Sequence, residues 1–236
     1  MLAGVRASYA HRTGTREHRL AMAKATGFTS MSDEYARLGV DKYYELHARD
    51  YRNVHYSEIV HAVDDMMSSM QQAGMVEDEL SILDLACGSG EATMAVQAWQ
   101  ASHAGTAPGT IQIHGADPYT SPAYHERTGR VAETYSFEDV AAGCLEEAQR
   151  EYNLCICSFA LHLLHEKSRL WWTLNALAVS CQRLAILSPH KKPSVAANTG
   201  WELEREVVIE RVRVRLFRST IFWQHHHIRR ACSSTT

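Results

Sequence analysis

The residues best suited to chemistry are aspartates and glycines that punctuate the predicted strands. Asp84 lies in an apolar run that begins at Ser81 and indicates a buried strand, and the run breaks at Gly88-Ser89-Gly90 before a helical segment begins at Glu91. Glycine adopts the unusual dihedral angles of such a turn and lets a ligand approach the backbone closely. A buried strand that leads through a glycine turn into a helix is typical of nucleotide-type sites, because free N–H groups at the helix start face the ligand.

A second acid, Asp117, ends the next predicted strand, 27 residues beyond Gly90. A carboxylate at this position can accept hydrogen bonds from both hydroxyls of a ribose. The alternative is a turn aspartate before Pro118, which is a common use of an aspartate. The recurring order of strand, glycine turn, helix, strand and acid favours the ribose role.

The residues around the turn argue against two other nucleotide motifs. Thr93 occupies the position of the third glycine of the dinucleotide fingerprint. No Lys-Ser or Lys-Thr pair follows the glycines, so a phosphate-cradling P-loop is not predicted. A nicotinamide-dependent enzyme is weakened by the same missing glycine.

The elements that must position these residues alternate along the chain. Besides the strand that starts at residue 81, apolar runs predict strands at residues 110–116, 131–136, 152–159 and 183–188. Helical periodicity predicts helices at residues 57–73, 91–102, 140–150 and 167–180. Strands separated by helices of this length indicate a parallel sheet with right-handed crossovers.

The last predicted element, residues 201–222, has a period of two. Arg211, Arg213 and Arg215 alternate there with apolar residues, so one face of the stretch is buried and the other carries guanidinium groups. The pattern favours a solvated edge hairpin that closes the sheet, with glutamates between residues 202 and 210 as cross-strand partners. An anion-binding surface is the alternative interpretation.

Taken together, residues 83–222 resemble the class I S-adenosylmethionine-dependent methyltransferases, in which an acidic residue near a strand end precedes Gly-x-Gly. Residues 157–163 (CSFALHL) and 187–193 (LSPHKKP) look like an uncharacterised subgroup of that family. The resemblance implies an α/β fold with a Rossmann-like, mostly parallel sheet of about seven strands, helices on both faces and a C-terminal antiparallel hairpin. It also implies S-adenosyl-L-methionine as the cofactor.

The resemblance further implies a cofactor site built from the ends of successive strands. Backbone around residues 86–90 would hold the methionine part, Phe137 would lie against the adenine ring, and Glu138 would meet its exocyclic amine. The alternative for Glu138 is a first-turn acid of a helix capped by Ser136. The implied cofactor-binding residues are Asp84, Ala86, Cys87, Gly88, Ser89, Gly90, Asp117, Pro118, Phe137, Glu138, Ser158 and Phe159.

In the family that the chain resembles, the end of the fourth strand faces the transferring methyl group. His162 follows that strand and is the candidate catalytic residue, because a neutral histidine can take a proton from an oxygen acid. The alternative is that His162 is a structural residue at the start of a helix, with its hydrogen bonds made within the protein. The aromatic segment at residues 43–55 is either a cap over the cofactor and acceptor or a packed aromatic face. Secondary candidates for the acceptor pocket are Tyr44, His47, Tyr51 and His190.

The predicted function is therefore S-adenosylmethionine-dependent methyl transfer, and a small-molecule acceptor is favoured because no added recognition domain or basic patch is present. Two alternatives remain open. One is a protein or RNA methyltransferase, an alternative that the arginine-rich last strand supports. The other is a non-catalytic module that binds the cofactor, against which the intact Asp84, Gly88, Gly90 and Asp117 count. Fold alone does not establish a reaction.

Composition limits the partners of the chain. Its 236 residues, 45% of them hydrophobic, can bury a substantial core. The formal net charge of −3 and a pI of about 6.5 give no reason to expect binding to nucleic acid or membranes, and the oligomeric state is left open. Six cysteines without a Cys-x-x-Cys pair favour reduced thiols and a cytoplasmic location. No metal site is predicted, since three consecutive histidines at 225–227 cannot all face one ion.

Four segments are expected along the chain. Residues 1–30 form a basic, acid-poor leader that is either disordered or a transit peptide, in which case the location is an organelle. Residues 31–77 form an N-terminal helical cap. Residues 78–222 form the methyltransferase domain, and residues 223–236 form a mobile tail.

Overall fold

The computed structural model describes residues 37–224 of the chain. The predicted leader and all but the first two residues of the predicted tail lie outside the described residues. The described residues divide between residues 46 and 47 into a first and a second unit. The observed division therefore lies at residues 46 and 47, whereas the sequence places the end of the cap at residue 77.

Helices and strands alternate along the described residues. The helices are α1 (Val40–His47), α2 (Tyr56–Gln72), α3 (Glu91–Ser102), α4 (Ser121–Thr128), α5 (Phe137–Ala141), α6 (Cys144–Glu147) and α7 (Lys167–Ser180). The strands are β1 (Glu79–Leu85), β2 (Thr110–Ala116), β3 (Tyr152–Ser158), β4 (Cys181–Ser188), β5 (Trp201–Ile209) and β6 (Val212–Ser219). Short 3-10 helices occur at Ala48–Asp50, Leu161–Leu163 and Ala197–Thr199.

The strands form one six-stranded sheet in the order β2-β1-β3-β4-β6-β5. β1 pairs in parallel with β2 and β3, and β3 pairs in parallel with β4. β6 runs antiparallel to both β4 and β5. This topology confirms the predicted Rossmann-like, mostly parallel sheet with a C-terminal antiparallel hairpin. It places the ends of β1, β2 and β3 side by side at one edge of the sheet.

The predicted strand at residues 131–136 is reduced to a single bridge between Ala116 and Glu133. The Glu133 N–H donates to the Gly115 carbonyl at 2.9 Å, and the Glu133 carbonyl accepts from the Asp117 N–H at 2.9 Å. Val131 is 78% exposed, so the segment lacks the buried face that would stabilise a longer ladder. The sheet of the described residues consequently has six strands instead of about seven.

Helices cover both faces of the sheet. On one face, the apolar stripe of α2 and the inner side of α3 share a core with β1, in which Met66 and Trp99 lie with Ile82. On the other face, α5 and α7 share a second core with β3 and β4. The apolar stripe of α2 is therefore part of the same core as the sheet.

The predicted helix at residues 140–150 breaks into two short helices. Gly143 has φ +99° between α5 and α6, a left-handed conformation that interrupts a helix. Ser136 caps α5, because its hydroxyl accepts from the Asp139 N–H at 3.1 Å and the Asp139 carboxylate accepts from the Ser136 N–H at 2.8 Å. The capping alternative for this segment is thereby confirmed.

Candidate active site

The glycine turn between β1 and α3 is built from left-handed residues. Ala86, Gly88 and Gly90 have φ of +55°, +56° and +89°. A Cβ atom at Gly90 would lie 2.4 Å from the Thr128 Cγ2 atom, so a side chain at this position would be both strained and obstructed. The turn therefore needs glycine at position 90 to let α4 pack closely against the start of α3.

The carboxylate of Asp84 is buried and accepts hydrogen bonds from within the protein. It is 1% exposed, and its Oδ2 atom accepts from the Thr93 N–H at 3.0 Å and from the Thr93 hydroxyl at 2.7 Å. Burial raises the pKa of Asp84 to about 7, against the lowering effect of the hydrogen bonds from Thr93. Thr93, which replaces the third glycine of the dinucleotide pattern, thus ties the first turn of α3 to the end of β1.

Asp117, at the end of β2, contacts the glycine turn directly. Its Oδ2 atom accepts from the Gly88 N–H at 3.2 Å, and its Oδ1 atom accepts from the Tyr119 and Thr120 N–H groups at 2.9 and 3.0 Å. The side chain is held in place by three backbone donors and is 7% exposed. The two acids predicted from the sequence therefore lie at the same end of the sheet, on either side of the turn.

A buried ion pair that sequence reasoning missed joins the turn to α4. Glu91 Oε1 accepts from Arg127 Nη1 at 2.7 Å, from the Ser89 hydroxyl at 2.6 Å and from the Asn53 N–H at 3.0 Å. Glu91 is the first residue of α3, where an acid complements the helix dipole. The position of Glu91 at the start of a helix was the one feature of the sequence that pointed to a role for this acid. Its partner Arg127 is 36 residues away along the chain, in a helix that the sequence analysis did not predict.

Residues 51–55, which we call the strap, cover the turn. The Tyr51 Cε1 atom lies 2.8 Å from where a Cβ atom of Gly88 would stand, and the His55 ring stacks on Phe159 with centroids 5.2 Å apart. Tyr51 and Asn53 leave a cavity of about 10 Å³ beside Ala86, Cys87 and Gly88. That space holds about one water. The strap therefore closes the turn in this conformation.

The end of β3 contributes an unpaired hydroxyl to the same cavity. Ser158 lines it, and the buried Ser158 Oγ atom finds no hydrogen-bond partner among the described residues. The next residue, Phe159, has φ +56°, and its N–H donates to the Leu187 carbonyl at 2.8 Å. A non-glycine residue in this left-handed conformation is strained, and such strain gathers at functional sites.

Two histidines meet beyond the ends of β3 and β4. His162 lies in the 3-10 helix after β3, and its ring meets that of His190 edge-on with centroids 5.8 Å apart. The His162 Nδ1 atom is buried, and no described residue hydrogen-bonds to it. Burial, followed by the neighbouring charges of His190 and His165, lowers the pKa of His162. His162 is consequently neutral near pH 7.

Two further predicted cofactor residues lie at a different groove. Phe137 and Glu138 begin α5 and line a groove of about 450 Å³ against Trp172 and Thr173 of α7. Glu138 pairs with Arg169 at 2.9 Å on the protein surface. The structure therefore does not bring these two residues to the small cavity beside the glycine turn.

Two of the predicted acceptor residues belong to the N-terminal part of the described chain. Tyr44 lies in the first unit, where its ring meets that of Tyr43 edge-on at 5.5 Å. His47 is exposed at the start of the second unit. Residues 37–224 contain no group of three or more His, Cys, Asp or Glu side chains placed to hold a metal ion. No helix within those residues is long and apolar enough to cross a membrane.

Fold and site together define the chain as a Rossmann-like α/β protein with a glycine-turn site at the carboxyl ends of its parallel strands. No family model matches the sequence. An uncharacterized protein of Schizosaccharomyces pombe is 34% identical in an alignment of 233 positions that covers 80% of this chain and 92% of the yeast protein. The chain belongs to the same family as this fission yeast protein.

Solved structures with a similar arrangement include two methyltransferases. A TehB-like SAM-dependent methyltransferase of Corynebacterium glutamicum is 15% identical with a TM-score of 0.49, over 80% of this chain and 97% of that one. Magnesium protoporphyrin IX methyltransferase of Synechocystis with bound SAM is 14% identical with a TM-score of 0.48, over 79% and 94%. At these identities and TM-scores, neither likeness assigns a reaction or a ligand to this chain.

Proposed function

We propose that this protein is an S-adenosylmethionine-dependent methyltransferase that acts on a small molecule. The observation that carries the proposal is the hydrogen bond of 3.2 Å from the Gly88 N–H to the Asp117 carboxylate. It places an acid suited to a ribose directly beside a glycine turn suited to an amino-acid or nucleoside ligand. The family resemblance of residues 83–222 supports the same cofactor.

The donors and acceptors at the turn fit this cofactor. A carboxylate has about four acceptor positions, and three at Asp117 are filled by backbone donors, which leaves one for a ribose hydroxyl. The partnerless Ser158 hydroxyl is available to a bound ligand on the β3 side. Backbone at Ala86, Cys87 and Ser89 would hold the methionine end, with Pro118 beside the ribose. Phe137 and Glu138 remain candidates for the adenine, and Phe159 for the transfer point.

Entry of a cofactor requires the strap to move outward, because Tyr51 and Asn53 leave only about 10 Å³ beside the turn. The contacts that hold the strap down include the hydrogen bond from the Asn53 N–H to Glu91, the stacking of His55 on Phe159 and the ion pair of Arg52 with Glu126 at 3.5 Å. These contacts are local and partly exposed, so they can open without disturbing the sheet. A closed strap would also exclude water during the reaction.

Bound S-adenosylmethionine supplies a methyl group already activated on a sulfonium, so the protein's task is to align the acceptor and exclude water. The proposed proton acceptor is His162, which burial keeps neutral. Its ring meets His190, and together they would form one wall of the acceptor pocket. His47 and Tyr51 are the proposed further acceptor contacts.

Calorimetric titration of the folded chain with S-adenosylmethionine tests the cofactor. We expect Asp117→Asn to weaken binding about tenfold or more, because a hydrogen bond to a charged group is worth about 1.5–3 kcal/mol. The matched control is Asp65→Asn, an aspartate of α2 that pairs with Arg205 on the surface, and it should leave the affinity unchanged. Absence of binding to the folded protein, or equal affinity after Asp117→Asn, would overturn the cofactor assignment.

The acceptor class is tested by methyl transfer from labelled cofactor into a cell extract that is then separated by size. Label in the small-molecule fraction supports the proposal. Label in protein or RNA would replace it with a macromolecular methyltransferase. Cofactor binding without any transfer would indicate a non-catalytic module.

A further inference from the structure

Arg215 in β6 is buried in a way that sets it apart from the neighbouring arginines. It is 6% exposed, whereas Arg213 and Arg218 on the same strand pair with Glu206 and Glu202. Its Nη1 atom donates to the Pro193 carbonyl at 2.7 Å. Its Nε and Nη2 atoms find no hydrogen-bond partner among the described residues. The expectation of a solvated guanidinium face is therefore wrong at this position.

The two unpaired nitrogens of Arg215 have a fixed relative position. Nε and Nη2 lie along one edge of the planar guanidinium, and this edge matches the two oxygens of a carboxylate in a bidentate pair. Burial lowers the pKa of Arg215, yet an arginine side chain stays protonated in proteins. Burying donors of a charged group without partners is costly, and such groups in native proteins call for an explanation.

An open cleft of about 520 Å³ lies against this arginine, within the range of small-molecule sites. It is formed by the loop after β4 and by the β5–β6 hairpin, and Trp201 and Phe217 provide apolar walls. The Arg215 guanidinium lies 5.9 Å from the centroid of the Phe217 ring. Lys191 and Thr220 add polar groups to the lining.

The charges of the cleft favour an anion. Its two acids, Glu202 and Glu206, are engaged by Arg218 and Arg213. The cations that line it are Arg215 and Lys191. A ligand with one negative group and an apolar body would satisfy both the unpaired donors and the aromatic walls.

We propose that this cleft binds a small organic acid, with its carboxylate side-on to Arg215 and its body against Trp201 and Phe217. The site is distinct from the cavity at the glycine turn, since the two share no lining residue. The proposal does not rest on the methyltransferase assignment.

Titration calorimetry of the full chain with benzoate tests the proposal, with benzamide as the uncharged analogue. We expect saturable binding of benzoate, and binding of benzamide about tenfold or more weaker, because a hydrogen bond to a charged group exceeds one to a neutral group. Arg215→Met should weaken benzoate binding by a similar factor. Arg211→Met, an exposed arginine in the turn of the same hairpin that does not line the cleft, is the matched control and should leave the affinity unchanged.

If Arg215→Met does not fold, Arg215→Lys takes its place, since it keeps the charge but loses the bidentate edge, and it should also bind benzoate more weakly. No saturable binding of benzoate, equal binding of benzamide, or unchanged affinity in the folded Arg215 variant would overturn the proposal. Stronger binding of phenylphosphonate than of benzoate would overturn the carboxylate assignment. Asp117→Asn should bind benzoate normally, which separates this result from the cofactor test.

Discussion

The acids at the glycine turn and Arg215 of the β5–β6 hairpin are all buried, but their polar atoms differ in what they contact. Asp84 accepts two hydrogen bonds, and Asp117 and Glu91 accept three each. Two of the three guanidinium nitrogens of Arg215 have no partner in residues 37–224. The difference indicates that the acids at the turn are already hydrogen-bonded and hold the backbone in place for a ligand, whereas one edge of the Arg215 guanidinium in the cleft has no bonded partner among the described residues.

The largest effect is expected from the pH dependence of the free energy of unfolding at Asp84. Its pKa rises from 3.8 to about 7 on folding, so between these values the folded state binds a proton that the unfolded state does not. The contribution of Asp84 to stability is therefore greatest below the lower value and is lost as the pH rises to about 7, by up to about 4 kcal/mol in total. Urea unfolding at a series of pH values measures this slope.

Asp84→Asn is the comparison for that slope, because its amide keeps an acceptor for Thr93 and carries no charge. We expect the variant to be more stable than the wild type above pH 7 and to lose most of the slope between about pH 4 and pH 7. Identical pH profiles for the two proteins would show that the Asp84 carboxyl does not titrate on folding. The turn would then hold the charged Asp84 carboxylate without the expected cost in stability.

A smaller loss is expected from Gly90→Ala. The substitution adds a strained left-handed alanine and forces a Cβ atom to within 2.4 Å of Thr128, which together should lower the free energy of unfolding by about 3 kcal/mol. Gly129→Ala is the matched control, since Gly129 has φ +68° and nothing within 4 Å of the added atom. It should cost about 1 kcal/mol. Equal losses in chemical denaturation would mean that packing at the turn adds nothing to backbone strain.

The smallest effect is expected at the cleft. Arg215→Met removes a buried charge with unpaired donors, and this gain offsets the lost bond to Pro193, so stability should stay within about 1 kcal/mol of the wild type. Arg218→Met breaks an exposed ion pair and should change stability by about 0.5 kcal/mol or less. A loss of about 3 kcal/mol in Arg215→Met, measured by urea unfolding, would make the arginine a structural group like Asp84.

Sequence patterns within single helices and strands were sufficient to predict most of the fold. The helices predicted at residues 91–102 and 167–180 and the strand at 110–116 have the predicted bounds. Their periodicity reflects which face of each element is buried, and parallel strands joined by helices leave few possible topologies. Asp117 meets the turn because the carboxyl ends of neighbouring parallel strands share an edge.

Tertiary structure alone decided which groups at that edge are satisfied. The sequence could show that Asp84 ends a strand, but the hydrogen bonds to Thr93 depend on how α3 leaves the turn. Arg127 reaches Glu91 from a helix without a clear apolar period, so no local pattern indicated their contact. The prediction of a seventh strand was wrong because no other element of the described residues packs over Val131, which is exposed, so the segment pairs with the sheet through one bridge only.

Arg215 shows most clearly what the sequence pattern could not predict. Alternation along β6 determined from the sequence which face of the hairpin carries its guanidinium groups. It could not determine that the loop carrying Pro193 crosses that face and covers one arginine while others stay near solvent. Period and composition decide the direction of a side chain, whereas burial depends on what distant segment packs over it, and that is a property of the whole fold.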